Sequence, residues 1–379
     1  MNGPVLSYDI LSMDAQGTTA IPLAVERFDI DAYASYVEEL GKRCALFADS
    51  SAGVLVHRRF RVPECFSWAA ADMKTSLSLQ LGALDASRSF LMDIPNFLEP
   101  WYGIGIVSSA FGAEYLWQGK QAPATKPVFK DLDTALDCEP VPLEFSPVGR
   151  HTMEMLEYFL EATQGKIPIS CSDVQSPLNA TCALFPTSVF FMDVLDRPDD
   201  ISILLDRVTD LELAFYQKQV SVIGDALVRP GHGFASSRYF KALGASDDNA
   251  VMVSPETYGR LFGPALARFG RGMGGTAFHS CGNWTTQIAA VKALSDLAFV
   301  DAAFTIQTDP DPNPPEGFRT AFAGSGVTVN ARMVGNPREV AEAFARLHSP
   351  EMKTIVVTYC ATPEDQQRTY DCIGGIVES

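Results

Sequence analysis

The stretch Thr276-Ala-Phe-His-Ser-Cys-Gly-Asn283 follows the pair Gly274-Gly275 and reads as a short strand that Gly282 and Asn283 bring to an end. Alternate residues of a strand share a face, so this spacing turns His279 and Cys281 toward one space. An imidazole nitrogen beside a thiolate is a donor pair that suits Zn2+. A second run, Lys353 to Tyr359 (K-T-I-V-V-T-Y), reads as a strand buried on both faces, and Cys360 stands at its C-terminal end. The 78 residues between Cys281 and Cys360 impose no local geometry, so the same residue types also describe a core histidine with two buried free cysteines. That both cysteines end strands favours a common site, with His279, Cys281 and Cys360 as three ligands and a fourth position open, as in catalytic zinc.

Outward from these two strands, the chain alternates strand and helix. Asp29-Ile30-Asp31 starts a helix to about Phe47, its acidic first turn matched to the helix dipole. Strands are expected at Gly53–His57, Ser89–Met92, Ile167–Cys171, Ala226–Arg229, Leu297–Asp301 and Val327–Asn330, beside the two above. Ser146-Pro147 opens a helix with Ser as N-cap and Pro in the first turn, and Ser254-Pro255 opens another. Between residues 93 and 146 the alternation lapses into a segment rich in Pro, Gly and aromatics, including Trp101, Tyr102 and Trp117. A segment of this length inside a domain is a functional cap, a docking surface or a packing insert.

Eight strand–helix units without an internal repeat fit an α/β (β/α)8 TIM barrel. The expected organisation is a lead-in and helix over residues 1–50 and a barrel over 51–379, with an insertion at 93–146 after the second strand. A doubly wound open sheet is the alternative, but it normally carries a phosphate-binding glycine fingerprint. The glycines at 272 to 275 precede a strand instead of following one.

Across 379 residues the net charge is −17, which argues against nucleic acid or an anionic membrane as partner. The N-terminus has no basic, apolar leader, and no stretch approaches the roughly 18 apolar residues of a membrane helix. Eight cysteines scattered along so long a chain suit reduced thiols in the cytoplasm better than a disulfide framework.

The His-Ser-Cys-Gly-Asn-Trp segment at 279–284, the distant Cys360 and the order of elements around them resemble the uroporphyrinogen decarboxylase superfamily, in particular its zinc-dependent corrinoid methyltransferase branch. Methylcobamide:coenzyme M methyltransferases belong to that branch. The resemblance runs from about Cys44 to the C-terminus, and only the His-Cys-Cys set in it is specific. It implies that His279, Cys281 and Cys360 hold Zn2+ and activate a small methyl acceptor, a thiol or tetrahydrofolate. The methyl group would come from methylcobalamin on a separate corrinoid-binding protein, because the D-x-H-x-x-G signature of a cobalamin-carrying domain is missing.

Further candidates rest on position at strand ends. Asp301 is a fourth zinc ligand or a residue that orients His279, or it merely caps a turn. Where the coenzyme M enzymes lead one to expect a glutamate, this chain has Ala302. Arg332 and His232 are placed to meet an anionic group, and Asp173, Asp248 and Asn283 to contact substrate or cofactor. Each also has a plain structural explanation as a solvated charge or a loop hydrogen bond. Transfer in the opposite sense, demethylating an ether or amine, is equally compatible with these residues. A metal-free decarboxylase would carry an R-Q-A-G-R motif where this chain has Val56-His-Arg-Arg-Phe60, and a non-catalytic barrel would show a broken ligand set.

Overall fold

A computed structural model describes residues 17–100, 103–119 and 121–379. Seven strands form one sheet in which every neighbouring pair is parallel: β1 (Gly53–Arg58), β4 (Val174–Gln175), β5 (Leu243–Ser246), β6 (Thr276–His279), β7 (Leu297–Ala303), β8 (Thr328–Met333) and β9 (Lys353–Thr358). Their order is β1-β9-β8-β7-β6-β5-β4. Helices alternate with the strands, among them Ile30–Asp49, Met73–Ser87, Pro147–Ala162, Pro198–Ile223, Pro337–Leu347 and Pro363–Val377. The fold is mixed α/β and barrel-like. No helix among the described residues is long and apolar enough to cross a membrane.

Residue alternation explains the two layers. Leu55, Ala277, Phe299, Ile355, Val357 and Tyr359 belong to one buried cluster inside the curved sheet. Their neighbours Val56, Phe278, Val300, Ala331 and Val356 belong to the larger cluster beneath the surrounding helices. Burial on both faces is why these strands read as nearly unbroken apolar runs.

Several expected elements change. Ser89–Met92 is not a strand: Ser89 and Phe90 close turns onto Ala86 and Ser87, and Phe90 packs edge-on against Phe60 at 5.0 Å. The extended chain comes just after, where Asp93 N donates to Val56 O at 2.8 Å and Leu98 bridges Ile169. Ile167–Cys171 and Ala226–Arg229 contribute only isolated bridges, Ile169 to Leu227 and Arg229 to Ser237. The pairing falls instead to β4 and to β5, whose Leu-Gly-Ala-Ser sequence reads as loop. Gly244 is required there because a Cβ would stand 2.3 Å from the Phe234 ring. The segment at 93–146 holds a two-stranded antiparallel hairpin, β2 (Tyr115–Gln118) with β3 (Gln121–Thr125), and the short helices Ile106–Ala110 and Leu132–Asp137. Trp101 and Tyr102 lie outside the described residues.

Candidate metal centre

β6 ends at His279, two residues sooner than expected, and Cys281 stands in the turn that follows. That turn is held by side chains from the loops on either side. Asp248, after β5, accepts from Cys281 N at 2.6 Å; Asp309, after β7, accepts from Gly282 N at 2.8 Å; Asn313 accepts from Trp284 N and donates to Gly282 O, both at 2.9 Å. Gly282 itself sits at φ +71°, a conformation costly for any residue with a Cβ. Trp284 is fully buried against Phe278 and Phe318. The thiol is thus set on an exposed turn with a fixed backbone.

His279 faces inward, and its ring is oriented from behind. In the parallel register His279 pairs with Asp301 on β7, and Asp301 pairs with Asn330 on β8. Asp301 Oδ2 accepts from His279 Nδ1 at 2.6 Å and from Arg332 Nε at 2.8 Å, while Oδ1 accepts from Asn330 Nδ2. Burial opposes the Asp301 charge, yet Arg332 and His279 hold its carboxyl below the ordinary carboxylate range. Burial likewise opposes a charged His279, and the Asp301 carboxylate overrides it, raising the imidazole well above its usual value. With Nδ1 committed to Asp301, Nε2 is the atom that faces the mouth.

Around Nε2 the structure gathers three donors. Cys281 Sγ is 3.5 Å away and Asp248 Oδ1 3.7 Å, and one ligand atom from each of Asp248, His279 and Cys281 lies within 4.8 Å of the others. Nitrogen, sulfur and carboxylate oxygen are all zinc donors, and a carboxylate–histidine pair behind the ligating ring is the usual support for such a site. The donor set fits Zn2+. Asp248 was a candidate for substrate contact, not for the metal; nothing in the sequence links its loop to His279, because only the β5–β6 pairing brings them together.

The other candidates fall elsewhere. Cys360 is buried with Sγ 3.5 Å from Thr369 Oγ1 on helix Pro363–Val377, outside the group of three. β9 ends at Thr358, and alternation past Val357 and Tyr359, which point inward, turns Thr358 and Cys360 toward that helix; Thr358 Oγ1 bonds Gln366 there at 2.7 Å. Asp301, also considered as a ligand, has both oxygens engaged and serves as the orienting carboxylate. Asp173 accepts from Gln175 Nε2 at 2.7 Å, and Asn283 Oδ1 accepts from Thr285 N at 3.1 Å, a local turn bond. His232 Nδ1 lies 3.2 Å from Glu99 Oε1, so it is paired with a carboxylate that the sequence did not single out. Arg332 is adjacent to the group through Asp301.

No family profile and no curated protein matches this sequence. Among solved structures, a methyltransferase from Methanosarcina mazei is similar over 89% of this chain and 98% of its own, with a TM-score of 0.63 and 14% sequence identity. At that identity the likeness is one of fold.

Proposed function

We propose that this chain is a zinc-dependent methyltransferase of the uroporphyrinogen decarboxylase superfamily, and that it moves a methyl group between a separate corrinoid protein and a small thiol or tetrahydrofolate. The observation that carries this reading is the convergence of His279, Cys281 and Asp248 where β6 meets its neighbouring loops, with His279 oriented by a buried carboxylate. The fold of the M. mazei methyltransferase adds support. In this reading the parallel sheet and the bridges through Leu98, Ile169 and Leu227 complete a (β/α)8 barrel whose C-terminal strand ends form the mouth. Residues 93–146 serve as the cap or docking segment for the corrinoid protein.

His279, Cys281 and Asp248 would hold Zn2+. Bound there, the ion lowers the pKa of a thiol at its open position, so that the acceptor reacts as thiolate. Asp301 fixes the His279 tautomer and keeps Nε2 pointed at the mouth. Asp248 and Asp309 hold the turn so that Cys281 presents its thiolate without a cost in ordering. The exposure of the turn leaves room for a second protein to approach.

Elemental analysis tests the reading. About one zinc per chain is expected, lost in Cys281→Ala and reduced in Asp248→Asn, while Cys360→Ala keeps it. Absence of zinc from protein purified without chelator would overturn the methyltransferase reading. Loss of zinc in Cys360→Ala with retention in Asp248→Asn would restore the His-Cys-Cys set.

A further inference from the structure

At the opposite end of the strands from the metal group, a cavity of about 500 Å³ opens among Phe47, Phe240, Lys241, Phe299, Thr328 and Lys353. The topology explains its place. Thr328 and Lys353 are the first residues of β8 and β9 and pair with each other in the parallel register; Lys241 stands two residues before β5, and Phe47 lies in the last turn of helix Ile30–Asp49. Parallel strands gather their N-terminal ends on one face, so Lys353 is separated from Thr358 at the far end of β9 by roughly 17 Å, at about 3.3 Å per residue. Phe47 meets Phe240 edge to face with ring centres 6.1 Å apart, and Phe240 leans on Phe299 at 5.6 Å, which gives the cavity an aromatic floor.

Lys353 is the unusual residue. Alternation places it on the side of Ile355 and Val357, inside the curved sheet, and it is 7% exposed. Lysine is almost never so buried without a partner. Its Nζ donates to Ala48 O at 3.0 Å, a carbonyl freed by the end of the helix, and stands 4.8 Å from the centre of the Phe47 ring. An ammonium has three N–H groups, and that bond engages one. Burial opposes the Lys353 charge and Lys241 repels it; together they hold the amine below its usual value against the pull of Asp49. Asp49 and Lys241 are both exposed, so the carboxylate offsets at most one of two cations that face the same space in a chain of net charge −17.

Ammonium groups are compact point charges that suit phosphate, and two of them balance a dianion better than a single carboxylate. An aromatic floor beside them suits a flat apolar ring. The volume lies within the roughly 300–1,000 Å³ usual for small-molecule sites. We propose that Lys353 and Lys241 bind the phosphate of a small aromatic phosphate ester, with its ring laid against Phe47 and Phe240. Thr328, at the cavity wall and 3% exposed, offers its hydroxyl to the ester. The inference is independent of the methyltransferase reading, because the cavity shares no residue with the metal group.

The test is calorimetric titration near neutral pH with phenyl phosphate, inorganic phosphate and neutral benzyl alcohol, on wild type, Lys241→Gln and Lys353→Gln. Phenyl phosphate should bind tightest, with the alcohol and inorganic phosphate each weaker by about 10-fold or more. Each substitution should weaken phenyl phosphate by about 10- to 100-fold, the range for a lost charge-assisted hydrogen bond. Lys353→Gln also loses the bond to Ala48 O, so Lys241→Gln, at an exposed position, keeps the test decisive if the first variant folds poorly. Treatment of wild type with chelator should leave the affinity unchanged. Equal affinity for phenyl phosphate and either of the other two compounds, or wild-type affinity in Lys241→Gln, would overturn the proposal. Loss of binding on chelation would place the ester at the metal group and overturn it as well.

Discussion

Asp301→Asn separates orientation of the metal ligand from simple packing. The substitution keeps the side-chain volume and one acceptor oxygen but removes the charge. Three donors, His279 Nδ1, Arg332 Nε and Asn330 Nδ2, converge on this carboxylate, so whichever way the new amide turns, its nitrogen faces at least one of them. Arg332, 6% exposed, is left without its counter-charge. Removing one partner of a buried pair typically costs about 3–5 kcal/mol. At a urea slope of about 3 kcal/mol/M this lowers the unfolding midpoint by roughly 1 M or somewhat more. Loss of the orienting hydrogen bond should weaken zinc binding by about 10- to 100-fold. Urea titration followed by tryptophan fluorescence reads the first effect, and competition with a chromophoric chelator the second. A variant that is destabilised but binds zinc as tightly as wild type would refute the orienting role; one unchanged in both would refute the buried-pair argument as well.

Two further outcomes concern the scaffold. Glu212 lies fully buried on helix Pro198–Ile223 with neither oxygen hydrogen-bonded among the described residues, and burial, with Asp247 nearby, pushes its carboxyl well above the ordinary 4.5. Above 4.5 the unfolded chain ionises this group while the folded one keeps the proton, so wild-type stability falls as pH rises. Glu212→Gln should therefore gain on wild type from about pH 4.5 upward, by about 1.4 kcal/mol per pH unit until the folded group titrates, as measured by urea unfolding between pH 4 and 8. A constant difference across that range would show that Glu212 is not the titrating group. Gly270 brings helix Gly263–Gly272 against β6, and a Cβ there would stand 2.1 Å from Thr276 Oγ1 and 2.9 Å from Thr276 Cα. Gly270→Ala should cost about 1–3 kcal/mol through overpacking, and a thermal midpoint equal to wild type would contradict this contact.

The strands that carry the site were legible because burial on both faces leaves an apolar run, as in Lys353–Thr358 and Leu297–Ala303. Capped helices were legible for a local reason: Asp29 and Ser146 accept from Ala32 N and Gly149 N as N-caps do. Phe90-Leu91-Met92 misled because its hydrophobicity serves contacts between loops at the rim, where Phe90 also lies under the Arg58 guanidinium at 5.3 Å. β5 was invisible because it is four residues long and broken by Gly244, which makes room for Phe234, although Leu243 and Ala245 on either side pack into the core. Spacing singled out His279 and Cys281, but their approach comes from the turn that Asp248 and Asp309 hold after β6, not from alternation along one strand. Spacing did not point to Asp248 as a ligand, because its proximity depends on tertiary pairing. The placement of Cys360 turned on whether it falls on the odd or even side of β9, a distinction that ending a strand does not decide.

That parity has an evolutionary consequence. At the end of β9 the inward and outward roles alternate by single residues, so no point substitution of Cys360 moves a thiol from the helix side to the mouth. A one-residue insertion or deletion between Thr358 and Cys360 does, exchanging which of two neighbouring side chains looks at the metal group. Among chains that share this fold, the number of sulfur donors can thus be rewritten by a length change in one short loop. Comparison of such chains is best anchored on the distance from the strand's last paired residue, not on the presence of a cysteine nearby.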